Sequence, residues 1–188
     1  MKKLVCSIAL LGCVVAGNGQ AAVPKGWFVA GTTPSAYEMG TQPGIRGAND
    51  NNAFIRSKNE TRGFGTLMQT ISAKAYRGRR VRFSGFLHTR DADKAGLWMR
   101  IDGADKQIVG FDNMEQRSLH GNNDWQNYNI VLDVPEEAAD IAFGVLLSGK
   151  GEVLADDFKL DVVGNDVVPT GMPLRQLPGV PTNLSFSP

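Results

Sequence analysis

Three consecutive stretches of this 188-residue chain, Trp125–Pro135, Ile141–Leu147 and Ala155–Val163, constrain its fold most. Each alternates apolar and polar residues, and turn-forming residues separate them. Side chains alternate across a strand, so this period places every second residue on a buried face. Consecutive strands of an antiparallel sandwich have this pattern. The same texture runs upstream, with strands expected at Trp27–Ala30, Tyr37–Gly40, Ala53–Ser57, Gly65–Ile71, Arg80–Thr89, Gly96–Asp102 and Gln107–Asn113. Trp125–Val134, Ile141–Ser148 and Glu152–Val163 complete the set. Gly, Asn, Asp and Pro cluster between them, where left-handed or preset backbone angles close turns. Helical turns are expected only near Ala73–Tyr76 and Pro135–Ala138. The expectation is one all-β domain, an antiparallel β-sandwich.

The two ends read differently. Lys2 and Lys3 precede an apolar run from Leu4 to Ala16, and Ala21-Ala22 follow. A basic start, a short apolar run and small residues form a secretory signal. The run falls short of the about 20 residues that span a bilayer, so no integral membrane span is expected. Cleavage near Ala22 is the expectation. Leu10-Leu-Gly-Cys13 also fits a lipobox, so a lipid anchor at Cys13 is the alternative. On either route the protein is expected to be periplasmic or secreted. Cys6 and Cys13 both lie in this segment, which leaves residues 23–164 without thiols and dependent on an apolar core. At the far end, five of the nine prolines fall in the last twenty residues, and 165–188 reads as an extended tail with no core of its own. Without Lys2 and Lys3, eighteen basic side chains face nineteen acidic ones, and no basic stripe suggests a nucleic-acid partner.

Sorting odd from even positions separates core from outward faces. Leu97, Met99 and Ile101 face inward, opposite Trp98, Arg100 and Asp102. Tyr128, Ile130, Leu132 and Val134 face inward, opposite Asn127 and Asn129, and His88 belongs to the polar face of its strand. If these outward faces share one sheet, Trp98, Arg100, Asp102, Asn127, Asn129 and His88 line a surface for a carbohydrate or other small polar ligand, with Ala142, Gly144 and Ser148 leaving room above it. Sugar C–H faces stack on aromatic rings, and hydroxyls pair with planar polar groups. The competing arrangement is a solvated face with Trp98 covered and Arg100 paired to Asp102.

Longer strings carry a family resemblance. They are Gly63–Gln69, Tyr76–Gly85, Ala95–Gly103, Phe111–Met114, Trp125–Pro135 and Phe143–Asp157. Together they resemble carbohydrate-binding-module-like, galactose-binding-like jelly rolls, and a bacterial domain family often attached to AraC-type transcriptional regulators. The resemblance spans about Gly26 to Val163 and implies a jelly-roll sandwich with a ligand-holding role. Leu154 stands where the family pattern has an aromatic. Such modules often hold a structural calcium, which the resemblance would place at Asp156 or Asp157 with Glu38. Calcium wants six or more oxygens. The alternative is that Asp156 and Asp157 only open a strand.

No Gly-x-Ser-x-Gly elbow, His-Glu-x-x-His pair or phosphate loop occurs, and the residues after 22 hold only His88 and His120. A non-catalytic glycan-binding module is therefore expected rather than an enzyme. A periplasmic small-molecule sensor or protein-binding adaptor is the alternative, and a carboxylate-based glycoside hydrolase is a distant third.

Overall fold

The structure is a computed structural model that describes residues 22–44, 50–59, 62–171 and 180–186. The signal segment and Cys13 lie outside the described residues. Nine strands are present among the described residues: β1 (Phe28–Gly31), β2 (Tyr37–Pro43), β3 (Asn51–Ser57), β4 (Phe64–Ser72), β5 (Arg79–Gly103), β6 (Ile108–Asp112), β7 (Leu119–Val134), β8 (Ala138–Ser148) and β9 (Glu152–Val163). Every pairing is antiparallel. Three 3-10 turns accompany them, including one at Ala73–Ala75 where a helical turn was expected. Pro135–Ala138 is instead a plain turn, closed by the Ala138 amide donating to the Pro135 carbonyl.

The 25-residue strand β5 organises the architecture. Its first half pairs β7 and β9, and its second half pairs β8 and β6. Between the halves Asp91 takes a positive φ of 46°, with register shifts on either side. A bulge residue of this kind bends a strand and sharpens its twist. The two strands expected at Arg80–Thr89 and Gly96–Asp102 are therefore one, folded from one layer into the other. The first layer runs β1-β4-β8-β5-β6, and the second runs β2-β3-β9-β5-β7.

The inward positions meet between the layers. Phe83 of the second layer packs on Phe143 of the first at 4.9 Å between ring centroids, and on Phe158 at 5.1 Å. Trp27 closes the cluster edge-on to Phe143. Leu87, Leu97, Met99, Ile101, Ile130, Ile141 and Leu147 are all fully buried beside it. Tyr37 ties the loop ends, its hydroxyl donating to the carbonyls of Gly63 and Gly149 at 3.0 Å each.

The segment after β9 is more than a loose tail. Arg80 donates from Nη1 to the carbonyls of Asn165 and Val167, and through Nε and Nη2 to Asp133. Thr170 pairs with both backbone groups of Val131 on β7 and donates to Asp112 at 2.6 Å. Residues 165–171, read from the sequence as part of an extended tail, are held to β5 and β7 by these bonds. Ending the chain at Gly164 strips three hydrogen bonds from buried Val131 and Asp112, and a lowered melting midpoint of about 4–8 °C is expected. A chain ending at Gly171 should melt within about 2 °C of the full length, on the same scale.

Candidate functional site

The outward residues divide between the two layers. Trp98, Arg100 and Asp102 lie on the outer face of the first layer, whereas His88, Asn127 and Asn129 lie on the outer face of the second. They do not form one surface, which corrects the expectation of a shared sheet. Their phase within each strand holds, but a bent β5 sends its two halves to opposite sides.

On the first layer, Trp98 sits opposite Gly144 of β8, which sits opposite Met68 of β4. The indole crosses β8 and donates from Nε1 to the Thr66 hydroxyl at 2.8 Å. It packs with Met68, Ala142, Ala30 and Leu146 and is only 8% exposed. Of the small residues expected to leave room above the sheet, Ala142 and Gly144 lie beneath Trp98, while Ser148 lines the open groove beside it. Trp98 is thus the floor of a second small core rather than an open stacking platform. A Cβ at Gly144 would lie 2.3 Å from the Leu67 carbonyl oxygen, so this crossing requires glycine. Gly144→Ala should cost about 1–3 kcal/mol, read as a melting midpoint lowered by several degrees. Arg100 pairs with Asp102 through Nε and Nη2, at 2.9 Å for the closer contact. At the other end of the same face Lys94 hydrogen-bonds Glu115. That bond first, and the ammonium charge second, hold the Glu115 carboxyl below its ordinary value of 4.5. The pair's contribution is present above the ordinary value and fades as pH falls through the lower folded value. Carboxyl chemical shifts of Glu115 followed against pH should show its midpoint rise in Lys94→Met.

On the second layer the register aligns side chains into rows across the strands. One row is charged: Glu38, Arg56, Glu152 and Arg90, with Arg56 bonded to Glu152 at 3.0 Å and 3.5 Å from Glu38. Arg90 reaches Glu152 from the other side at 3.8 Å. The next row is apolar and aromatic: Phe54, Leu154, His88 and Trp125. The His88 and Trp125 rings stack at 5.5 Å, and the Arg56 guanidinium lies over the Phe54 ring at 4.9 Å. A polar row follows, with Asp156, Phe86 and exposed Asn127 in register and Asn52 beyond. Exposed Asn129 lies opposite Ser84 in the row after.

This face holds every buried side-chain polar atom that lacks a hydrogen-bond partner among the described residues: Asn52 Oδ1, His88 Nδ1 and His88 Nε2. Such orphans are few in native structures and costly. Trp125, half-buried and stacked, was missed as a candidate site residue in the sequence. The signal was its shared phase with Asn127 and Asn129.

The expected calcium ligands do not converge. Glu38 stands level with Glu152, four residues along β9 from Asp156, or about 13 Å at 3.3 Å per residue. Glu38 is occupied by Arg56 instead. Asp157 takes a positive φ of 51°, its amide held by the Asp156 carboxylate at 2.7 Å. Among the described residues no group of three or more His, Cys, Asp or Glu side chains gathers to hold a metal. No helix among them is long and apolar enough to cross a membrane.

The structure resembles the xylan-binding domain of Paenibacillus barcinonensis Xyn10C with a TM-score of 0.54 and 11% identity, over 77% of this chain and 90% of that one. It also resembles the C-terminal family 22 carbohydrate binding module of Clostridium thermocellum Xyn10B, with a TM-score of 0.54 and 14% identity, over 77% and 89%. The fold is the β-sandwich that these two carbohydrate-binding domains share. At these identities the likeness concerns the β-sandwich alone. In sequence, the chain is 38% identical over 166 residues to an uncharacterized HTH-type transcriptional regulator, YbfP, of Bacillus subtilis. That match covers 86% of this chain, which spans just over half, 56%, of the regulator. No family model matches the sequence.

Proposed function

We propose that the domain is a non-catalytic glycan-binding module whose ligand lies across the aligned rows of the second layer. The observation that carries this reading is the placement of all three orphaned buried polar atoms on the one face where Trp125 and His88 stack beside exposed Asn127 and Asn129. Exposed Asn127 and Asn129 supply donors and acceptors in the planar geometry that hydroxyls use. Stacking on His88 takes up one face of the Trp125 indole and fixes its plane, and a fixed ring loses little freedom when a pyranose covers the other. The sandwich fold of xylan-binding and other carbohydrate-binding domains supports the ligand class. Trp125→Ala should weaken binding of a xylo-oligosaccharide or other β-linked oligosaccharide about tenfold, as expected for losing the stacking contribution and buried ring area. It should leave the melting midpoint within a few degrees. Unchanged affinity in Trp125→Ala, measured by calorimetry against the same oligosaccharide, would contradict the placement.

Export is part of the proposal, supported by the basic start, the apolar run and Ala21-Ala22. The intact mass of protein recovered outside the cytoplasm should correspond to a start at Val23, and a lipid adduct on Cys13 would move it to the membrane surface. A second reading has its own support in the likeness to a transcriptional regulator: the same face would then sense a small molecule on behalf of an attached domain. A ligand screen separates the two, since a sensor would favour one small metabolite over extended oligosaccharides.

A further inference from the structure

We propose that the groove on the outer face of the first layer is a second, separate ligand site, for a small molecule that joins a flat apolar body to a carboxylate. The groove encloses about 570 Å³, within the range of small-molecule sites. Trp98, Met68 and Leu146 form its floor, and Phe64 of β4 and Phe111 of β6 line it from opposite sides. Phe111 is 37% exposed, an aromatic side chain left open beside an already packed apolar floor.

The polar groups in the groove decide what fits. The Thr66 hydroxyl accepts from Trp98 and donates to the Val145 carbonyl, the Ser148 hydroxyl donates to Gly63, and the Asn113 amide donates to Glu115. These groups are engaged within the protein. Arg100 is different: Asp102 takes one hydrogen from Nε and one from Nη2, and a guanidinium carries five. Three N–H donors therefore remain on a side chain 40% exposed, with a nearly buried carboxylate fixing its plane. Lys94, with one N–H given to Glu115, keeps two further donors at the opposite end. The groove thus offers free donors, which suits an acceptor head on an apolar body. A sugar in the same place would leave hydroxyl hydrogens facing aromatic carbon, at a cost for each unpaired group. The site is independent of the glycan face, which lies on the other layer.

The test uses 2-naphthoate as probe and 2-naphthylmethylamine as its cationic counterpart, titrated into the full chain while the indole N–H resonances are followed. The expected result is a shift of the Trp98 signal by naphthoate at millimolar concentration or below, with the amine binding at least about fivefold more weakly. Phe111→Ala, at an exposed edge, should weaken naphthoate about fivefold by removing one wall. The double variant Arg100→Gln with Asp102→Asn, which leaves no unpaired buried charge, should abolish the preference for the acid over the amine. Trp125→Ala should leave naphthoate binding unchanged while it weakens the oligosaccharide, which separates failure of one site from failure of the other. The proposal is overturned if naphthoate fails to move the Trp98 signal, if acid and amine bind alike to the unaltered protein, or if neither variant changes naphthoate binding.

Discussion

Trp98→Ala is expected to destabilise the domain by about 3–5 kcal/mol, the usual cost of truncating a buried aromatic side chain to alanine. The indole is nearly buried, fills the space over Gly144 between β5 and β4, and gives its N–H to Thr66. Removing it empties the floor of the groove and leaves Met68 and Ala142 without their largest neighbour. At about 2–4 °C per kcal/mol for a chain of this size, the melting midpoint should fall by roughly 10 °C. Trp98→Phe keeps the ring volume in part and loses the hydrogen bond, so a smaller drop is expected. Thermal melts followed by circular dichroism check both, and an alanine variant melting within about 2 °C of the unaltered protein would contradict the packing described.

Asp112→Ala should cost on the order of 3 kcal/mol, because one buried carboxylate holds four groups together. It accepts from the Met114 amide at 2.8 Å, from Nη1 and Nη2 of Arg117 at 3.2 and 2.8 Å, and from the Thr170 hydroxyl. Arg117 also donates to the Asn129 carbonyl on β7. Met114 is fully buried in a left-handed conformation, so its amide has no water to turn to once the carboxylate is gone. The exposed half of the Arg117 pair adds little, since solvent screens it. Asp112→Asn keeps one acceptor oxygen, enough for the Met114 amide and Nη1 of Arg117, but turns an NH2 toward Nη2 of Arg117 and the Thr170 hydroxyl, so it should cost less than Asp112→Ala without restoring the clamp. Denaturant melts of the two variants should differ in midpoint at equal slope. Equal midpoints for Asp112→Ala and the unaltered chain would show that the clamp on residues 165–171 carries no stability.

The strands were legible in the sequence because their faces differ: Ile130, Leu132 and Val134 against Asn127 and Asn129 can be read with period two alone. The bend in β5 could not be read. It runs through register shifts between Leu87 and Ala95 around Asp91, which takes a positive φ, and Asp-Ala-Asp at 91–93 looks like an ordinary turn between two strands. That single bend decides which outward faces share a layer. Phase therefore placed Trp98 and Asn127 outward correctly and still could not say that they point in opposite directions. Burial on an outward face was hidden for a related reason. Trp98 is covered because Thr66, two strands away, accepts its N–H, and such a partner is visible only once β4, β8 and β5 are in register. The docking of Thr170 on β7 has no periodic signature at all, being a few hydrogen bonds made by one extended segment.

The proposed glycan site on the second layer, built around Trp125, can be read from the indole signals. The chain has three tryptophans: Trp27 in the core, Trp98 on the floor of the groove and Trp125 on the proposed glycan face. Their three indole N–H resonances report the three regions separately. On titration with a β-linked hexasaccharide such as xylohexaose, the Trp125 signal should shift saturably together with the side-chain amides of Asn127 and Asn129, with no movement at Trp98. A saturable shift at Trp98 alone, or binding that leaves the Trp125 and Asn127 signals in place, would contradict it.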